Sequence, residues 1–290
     1  MNFNKKMFIT DFDGTFLKTD SSLCKKDIKE IVKIKNKGVI TAVATGRSIY
    51  SFDLAFARLK LKPDFLDYLI FSTGAGILSY PDKKIIKASG LEKKHILDIS
   101  SFLEKKKIDH MIHSEIPYTR DFFYKKFSDK NKDFNTRIEL YQNYCSPFSS
   151  NSDINRSTQV IAILPPDHDI KMQSQIIRGL CSFNIIKTTS PLDNKSIWME
   201  IFPKNVSKSI AASWLAQKTG VKRENILSIG NDYNDEDLLY WSGSSFIVEN
   251  APIDLKTKFK TVPSNDCGAV RTAIKNWTNN FSKYETESFT

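Results

Sequence analysis

The 290-residue chain is notable first for what it lacks. No apolar run approaches the roughly 20 residues that cross a bilayer, so no membrane association is expected. The four cysteines, Cys24, Cys145, Cys181 and Cys267, stand far apart, which excludes a zinc knuckle and a Cys-x-x-Cys redox pair. They read as reduced thiols of a cytoplasmic protein. The N-terminus has two lysines but meets Asp11 and Asp13 within a few residues, so it does not read as a signal peptide. His110, His113 and His168 have no ligand-like spacing and read as structural or surface groups. Arginines are scattered, and no basic run alternates with aromatics. The charge of +10 (43 Lys and Arg against 33 Asp and Glu) therefore does not describe a nucleic-acid surface. The lysines spread along helical stretches such as 25–37, and a mild positive field suits small anionic substrates. No internal repeat is present.

What the chain does have is a set of short apolar strands that end in polar groups. Met7-Phe8-Ile9 runs into Asp11, Asp13, Gly14 and Thr15. A short run of large apolar residues closed by glycine predicts a buried strand. If the chain turns at Asp11, the Asp11 side chain and the Asp13 backbone face one small volume. Two acids so close call for a hard cation with oxygen ligands, of which Mg²⁺ is the common one beside phosphate. A helix over 20–38 follows, with Ser22 as its cap and Gly38 as its stop. Val39 to Ala44 is a second strand, emptying into Thr45-Gly46-Arg47, and a helix over 50–59 comes next. Tyr68 to Phe71 is a third strand, ending at Ser72-Thr73-Gly74. Mostly apolar strands alternating with helices define a parallel sheet covered on both faces, with functional groups at the carboxyl ends of the strands.

The middle of the chain changes character. Helices are expected over 91–106, 132–144 and 168–181, strands over 109–113, 157–164, 184–187 and 196–202, and a loop over 147–155. The part of this mixture between roughly residues 86 and 190 reads as an inserted α+β domain, with strand 196–202 falling to the core. The α/β pattern then resumes. A helix over 205–218 has Lys208 near its start. Strand 226–229 empties into Gly230-Asn231-Asp232-Tyr233-Asn234-Asp235, and short elements close the chain, with fraying expected after Asn279. Carboxylates, a threonine and a lysine at neighbouring strand ends suit phosphoryl transfer. An aspartate can attack phosphorus, a second can act as acid and base, and lysine and hydroxyl can hold the phosphoryl oxygens.

These segments resemble, in order, the motifs of haloacid dehalogenase-like phosphatases, in the Cof-type branch with the larger subclass IIB cap. Asp-Phe-Asp-Gly-Thr at 11–15 matches the first motif, Thr45 the second, Lys208 the third and Gly230 to Asp235 the acidic fourth. Asp266-Cys-Gly-Ala-Val is similar to the stretch that usually closes these proteins. The resemblance implies a Rossmann-like core in two parts, 1–85 and 191–290, around a cap at 86–190. It implies Asp11 as nucleophile, Asp13 as acid and base, and Thr45 and Lys208 on the phosphate. It implies Mg²⁺ at Asp11, Asp13 and the 231–235 loop, and substrate contacts from Gly46, Arg47, Thr73, Gly74 and Asn234.

Two positions depart from the pattern. Asn231 stands where the family has its metal-binding aspartate, so either Asn231 or Asp232 is the expected ligand beside Asp235. Thr73 replaces a common asparagine. The resemblance implies a small phosphomonoester as substrate, a sugar phosphate foremost, and a monomer or homodimer. A phosphomutase and a catalytically silent regulator are the alternatives.

Overall fold

The computed structural model describes residues 5–149 and 152–287, and the chain divides into two compact units. One takes the described residues up to Gly46, then Phe52–Ile86, and the chain from Lys208 onward; the other takes Arg47–Ser51 and Lys87–Ser207.

In chain order the first unit opens with β1 (Met7–Thr10), α1 (Lys25–Lys35), β2 (Ile40–Ala44), α2 (Ile49–Arg58), β3 (Tyr68–Phe71), β4 (Gly76–Ser79) and β5 (Lys84–Ala88). The inserted unit holds β6 (Leu91–Glu92), α3 (Lys93–Lys105), β7 (His110–Ser114), β8 (Phe122–Lys125), α4 (Lys132–Leu140), β9 (Cys145–Pro147), β10 (Arg156–Leu164), α5 (Ile170–Gly179), β11 (Asn184–Thr189) and β12 (Ile197–Phe202). The first unit then closes with α6 (Lys208–Thr219), β13 (Ile226–Gly230), α7 (Glu236–Trp241), β14 (Ser244–Val248), α8 (Ile253–Lys256), β15 (Thr261–Val262) and α9 (Ala269–Glu287).

The first unit is an eight-stranded sheet in the order β15-β14-β13-β1-β2-β3-β4-β5. β1 pairs in parallel with β13 on one side and β2 on the other. Consecutive strands thus run outward from β1 in both directions, and the crevice at such a reversal is where α/β sheets bind ligands. Met7, Phe8 and Ile9 are buried because helices cover both faces; α6 supplies Ala211, Ala212 and Leu215 to the face that holds Met7 and Ile9. β4 is antiparallel to β3, which ends the parallel run.

The inserted unit has its own sheet, ordered β11-β12-β10-β7-β8-β9, with β6 added against β10. One face packs Ile99 and Leu103 of α3 and Ile176 of α5 against Val160 and Ala162; the other buries Met111, Ile161, Ile163 and Trp198 with Phe134 of α4. Two histidines are structural here. His110 spans the Ile108 carbonyl (2.8 Å) and Ser100 Oγ (2.9 Å), and His113 Nδ1 meets the Thr119 carbonyl (2.8 Å). Burial pushes His110 down to about 4; burial, helped by Arg137, pushes His113 down to about 3.

The architecture is the expected α/β core with an inserted α+β unit. The expected end of the insertion at residue 190 moves to Ser207. β12 pairs antiparallel with both β10 and β11, so it belongs to the inserted sheet. The first helix begins at Lys25, with Cys24 at its cap, because Ser22 is taken by Asp20, whose Oδ1 accepts from its backbone N (2.9 Å) and Oγ (2.6 Å). α9 continues past Asn279 to Glu287; the last three residues, and residues 150 and 151 of the expected loop, lie outside the described residues. Among the described residues no helix is long and apolar enough to cross a membrane.

Candidate functional site

The site begins where β1 stops. Asp11 N still bonds the Ile229 carbonyl of β13 (2.9 Å), and the chain then coils. The Phe12 carbonyl accepts from Phe16 N (3.1 Å) and Leu17 N (2.7 Å). The buried Phe12 ring stacks among Phe52 and Phe56 and anchors the turn. Gly14 adopts φ +73°, and a Cβ there would come 2.5 Å from the Asn231 side chain. Glycine is therefore required twice over, for its dihedral and for this close approach.

The turn aims the Asp11 carboxylate and the Asp13 carbonyl at the same place. Both meet the Asn231 carboxamide, whose orientation follows from the acceptors around it. Its NH₂ then lies 2.9 Å from Asp13 O, 3.1 Å from Asp11 Oδ2 and 3.2 Å from Thr15 Oγ1, and its two protons serve two of these acceptors at a time.

The other oxygen of Asp11 meets Lys208, the first residue of α6. Lys208 is fully buried, and its Nζ donates to Asp11 Oδ1 (2.7 Å) and Asp235 Oδ1 (2.6 Å). One cation thus serves two buried carboxylates. Burial and the neighbouring Asp235 raise Asp11 to about 7, against the opposing pull of Lys208. Burial alone would lower Lys208, but Asp11 and Asp235 outweigh it and hold the ammonium above its usual value.

Asp235 also organises the loop after β13. Its Oδ2 accepts from the backbone N–H of Asn231 (2.8 Å) and of Asp232 (3.1 Å). Asp232 returns the bond, its side chain accepting from Asp235 N in a capping box. The Asp232 and Asp235 carboxylates are thus engaged in building the loop, and Asn231 is the loop side chain that faces Asp11.

Thr45 follows β2 and is buried; its carbonyl accepts from Thr73 N (3.0 Å). Ser72 and Thr73 take φ +46° and +54°, a left-handed conformation that side chains adopt at a cost of about 1–2 kcal/mol each. Such strain gathers at ligand-binding loops. A Cβ on Gly46 would lie 3.6 Å from Thr73 Oγ1 and 3.8 Å from Asn234 Nδ2, so Gly46, Thr73 and Asn234 are neighbours, with Gly74 next in the chain. Arg47 falls in the inserted unit, where its guanidinium donates to the Ser51 carbonyl (3.1 Å).

Of three supports, sequence reasoning passes over two, Asn250 and Asp237, and notes Asp266 only as part of the closing stretch. Asn250 donates from Nδ2 to the Gly14 carbonyl (2.8 Å) and accepts at Oδ1 from Asn265 N (3.0 Å), clamping the Asp11–Thr15 turn. Asp237 accepts from Ser209 N (3.1 Å) at the start of α6. Asp266 accepts from Thr19 N (3.0 Å) and Thr19 Oγ1 (2.8 Å), tying the β1–α1 connection to the end of the chain. The signal for Asn250 was its place just beyond strand β14.

Among the described residues no three His, Cys, Asp or Glu side chains gather as a metal-binding group. A hard cation near Asp11 would instead draw on one carboxylate, one carbonyl and one carboxamide, from Asp11, Asp13 and Asn231. All three supply oxygen, the donor type that suits Mg²⁺. The residues present fit such an ion.

A parallel run of strands reversing at β1, an inserted α+β unit and a lysine shared by two aspartates beyond the strand ends describe a Rossmann-like α/β protein with a carboxylate–lysine site. The chain belongs to the haloacid dehalogenase-like hydrolase family, whose profile matches residues 8–274. A Streptococcus pyogenes protein that carries a phosphatase name with no substrate attached is 26% identical over 278 residues, covering 94% of this chain and 98% of its own. The 5-amino-6-(5-phospho-D-ribitylamino)uracil phosphatase of Bacillus subtilis is 24% identical, covering 90% of this chain and 94% of its own. A solved phosphatase of the same superfamily from Bacteroides thetaiotaomicron superposes with a TM-score of 0.75 at 15% identity, over 94% of this chain and 95% of its own. A solved subclass IIB sugar phosphatase gives 0.74 at 16%, over 94% and 99%. At such identities the superpositions speak for the fold.

Proposed function

We propose that the protein is a phosphomonoester hydrolase acting on a small metabolite, with a sugar phosphate as the leading substrate class, through a phosphorylated Asp11. The observation that carries this reading is the buried Lys208 bridge between Asp11 and Asp235, beside an Asp11 oxygen that faces Asn231 and the Asp13 carbonyl.

In the first step an oxygen of Asp11 bonds to phosphorus while the bond from phosphorus to the substrate alcohol breaks, and Asp13 gives its proton to that alcohol. In the second step Asp13 takes a proton from water, the water oxygen bonds to phosphorus, and inorganic phosphate leaves with Asp11 restored. Lys208 holds Asp11 in place and neutralises charge on the phosphoryl group, and Thr45 donates to a phosphoryl oxygen. Gly46, Thr73, Gly74 and Asn234 line the approach. Asp11, the Asp13 carbonyl and the 231–235 loop would hold Mg²⁺, which would supply positive charge against the repulsion between phosphate and carboxylate. The phosphatase names of relatives, the sugar phosphatase among the structural neighbours and the Cof-type motif order support the substrate class. The same reading takes the protein to be cytoplasmic and a monomer or homodimer.

The test is phosphate release over a panel of sugar phosphates and other phosphomonoesters, with and without Mg²⁺, for the wild type and Asp11→Asn. Mg²⁺-dependent release by the wild type alone is expected. Equal release by Asp11→Asn overturns the assignment, as does isomerisation of a sugar phosphate without release.

A further inference from the structure

The Asn231 carboxamide occupies an unusual position. Its backbone N–H is pinned to Asp235 Oδ2 (2.8 Å), and its outer end is hemmed in by Gly14, where even a Cβ would approach to 2.5 Å. A half-turn of the carboxamide about its own axis leaves the backbone anchor to Asp235 in place. That half-turn exchanges NH₂ for oxygen at a point 2.9 Å from Asp13 O and 3.1 Å from Asp11 Oδ2. Neighbouring oxygens around an octahedral Mg²⁺, with bonds of 2.0–2.1 Å, are about 2.9 Å apart. The same point therefore suits an N–H donor to Asp11 and Asp13, and equally a third oxygen sharing a cation with them.

We propose that Asn231 is a two-way latch on the cation site. With nitrogen inward its two protons bond the Asp11 Oδ2 and Asp13 O acceptors, with Thr15 Oγ1 also in reach, and satisfy the site without a cation. With oxygen inward it becomes a neutral ligand. Cation binding must therefore break up to two hydrogen bonds and gains an amide oxygen in place of a carboxylate. The inference rests on the Mg²⁺-dependent reading above and adds a regulatory consequence. The site stays ordered when Mg²⁺ is scarce and fills only when it is plentiful. An aspartate at 231 would reverse both properties. Its carboxylate would face Asp11 and Asp13 with no proton to offer, so the empty site would be repulsive and the filled one tighter.

Side-chain amide NMR and unfolding test this directly, without recourse to turnover. In EDTA the ¹⁵N-labelled wild type should show an Asn231 NH₂ pair, identified by its loss in Asn231→Asp, that exchanges slowly with solvent. Added Mg²⁺ should shift that pair and speed its exchange. Asn231→Asp should melt below the wild type in EDTA, gain more from Mg²⁺, and bind Mg²⁺ at least tenfold more tightly by calorimetry. A pair that exchanges freely in EDTA, or that saturating Mg²⁺ leaves unmoved, overturns the latch. So does an Asn231→Asp protein with wild-type Mg²⁺ affinity. Should Asn231→Asp fail to fold, Asn231→Ser identifies the resonance and the wild-type exchange measurement decides. A latch that behaves as expected in a protein that releases no phosphate from any substrate sinks the phosphatase assignment and upholds the latch.

Discussion

Lys208 Nζ and Asp235 Oδ1 lie 2.6 Å apart with both side chains wholly buried, and the same ammonium reaches Asp11 at 2.7 Å. Two carboxylates on one lysine make the three residues unequal under substitution. Lys208→Met leaves two buried acids facing each other and is expected to cost about 3–5 kcal/mol, the usual penalty for stranding a buried charge. Asp11→Asn leaves the Lys208–Asp235 pair intact and should stay within about 1 kcal/mol of the wild type. Urea unfolding at pH 7 checks the order. A Lys208→Met protein as stable as Asp11→Asn would contradict this account of the charges.

Gly14→Ala is expected to fail locally rather than globally. The left-handed dihedral costs a β-carbon about 1–2 kcal/mol, and the clash forces Asn231 away from Asp11. Stability should fall by roughly 1–3 kcal/mol while phosphate release drops far more than that loss of folded protein explains. Turnover corrected for the folded fraction is the measurement.

Asn250→Ala removes the clamp between Gly14 and Asn265. The expected stability loss is about 1–2 kcal/mol, for two hydrogen bonds that are largely lost to solvent. On the proposed mechanism the Asp11–Thr15 turn carries the reacting groups, so kcat should decline by roughly 10–100-fold, as small misplacements do. An unchanged kcat would show that the turn holds itself.

The inserted unit should be acid-labile through its histidines. His110 and His113 are held neutral, at about 4 and about 3, while in the unfolded chain they protonate near 6.5. The unfolded state therefore binds more protons below that value. Their contribution to stability is complete above pH 6.5 and is lost progressively as pH falls towards their folded values, at up to about 1.4 kcal/mol per pH unit for each. Urea midpoints between pH 7 and pH 4.5 should show the slope, and His113→Gln should lessen it. A slope that His113→Gln leaves untouched would assign the effect to other groups.

The core was legible because its strands are buried on both faces. Met7-Phe8-Ile9 and Ile226-Leu227-Ser228-Ile229 are nearly continuous apolar runs, and each empties into polar residues at a turn. The residues that meet at Lys208 stood out through the order of motifs the chain shares with the haloacid dehalogenase-like family, since a lone lysine at a helix start reads by itself as a surface group. β8 went unread because Phe122-Phe123-Tyr124-Lys125 lies in a polar stretch and gains its order from pairing with β7 and β9. β12 was read as a strand but credited to the wrong sheet, because pairing partners leave no mark on local pattern. The role of Asn250 was not legible from its place beyond β14, for a related reason. A lone asparagine has no periodicity, and its partner at Gly14 is 236 residues away in the chain.

The distance along the chain from Asp11 to Lys208, 197 residues, has a consequence for the protein's synthesis. A growing chain makes Asp11, Asp13 and Thr45 first, then the entire inserted unit, and only afterwards the lysine that balances them. β1 has β2 as an early neighbour, but its other neighbour, β13, arrives later still. Until residue 235 has left the ribosome the acidic strand end has neither its counter-charge nor the loop that faces it. The inserted unit, local in sequence, can fold in that interval. The site is thus completed late in synthesis, with only α7 to α9, β14 and β15 still to follow, and a product truncated before Lys208 carries its acids without the lysine that balances them.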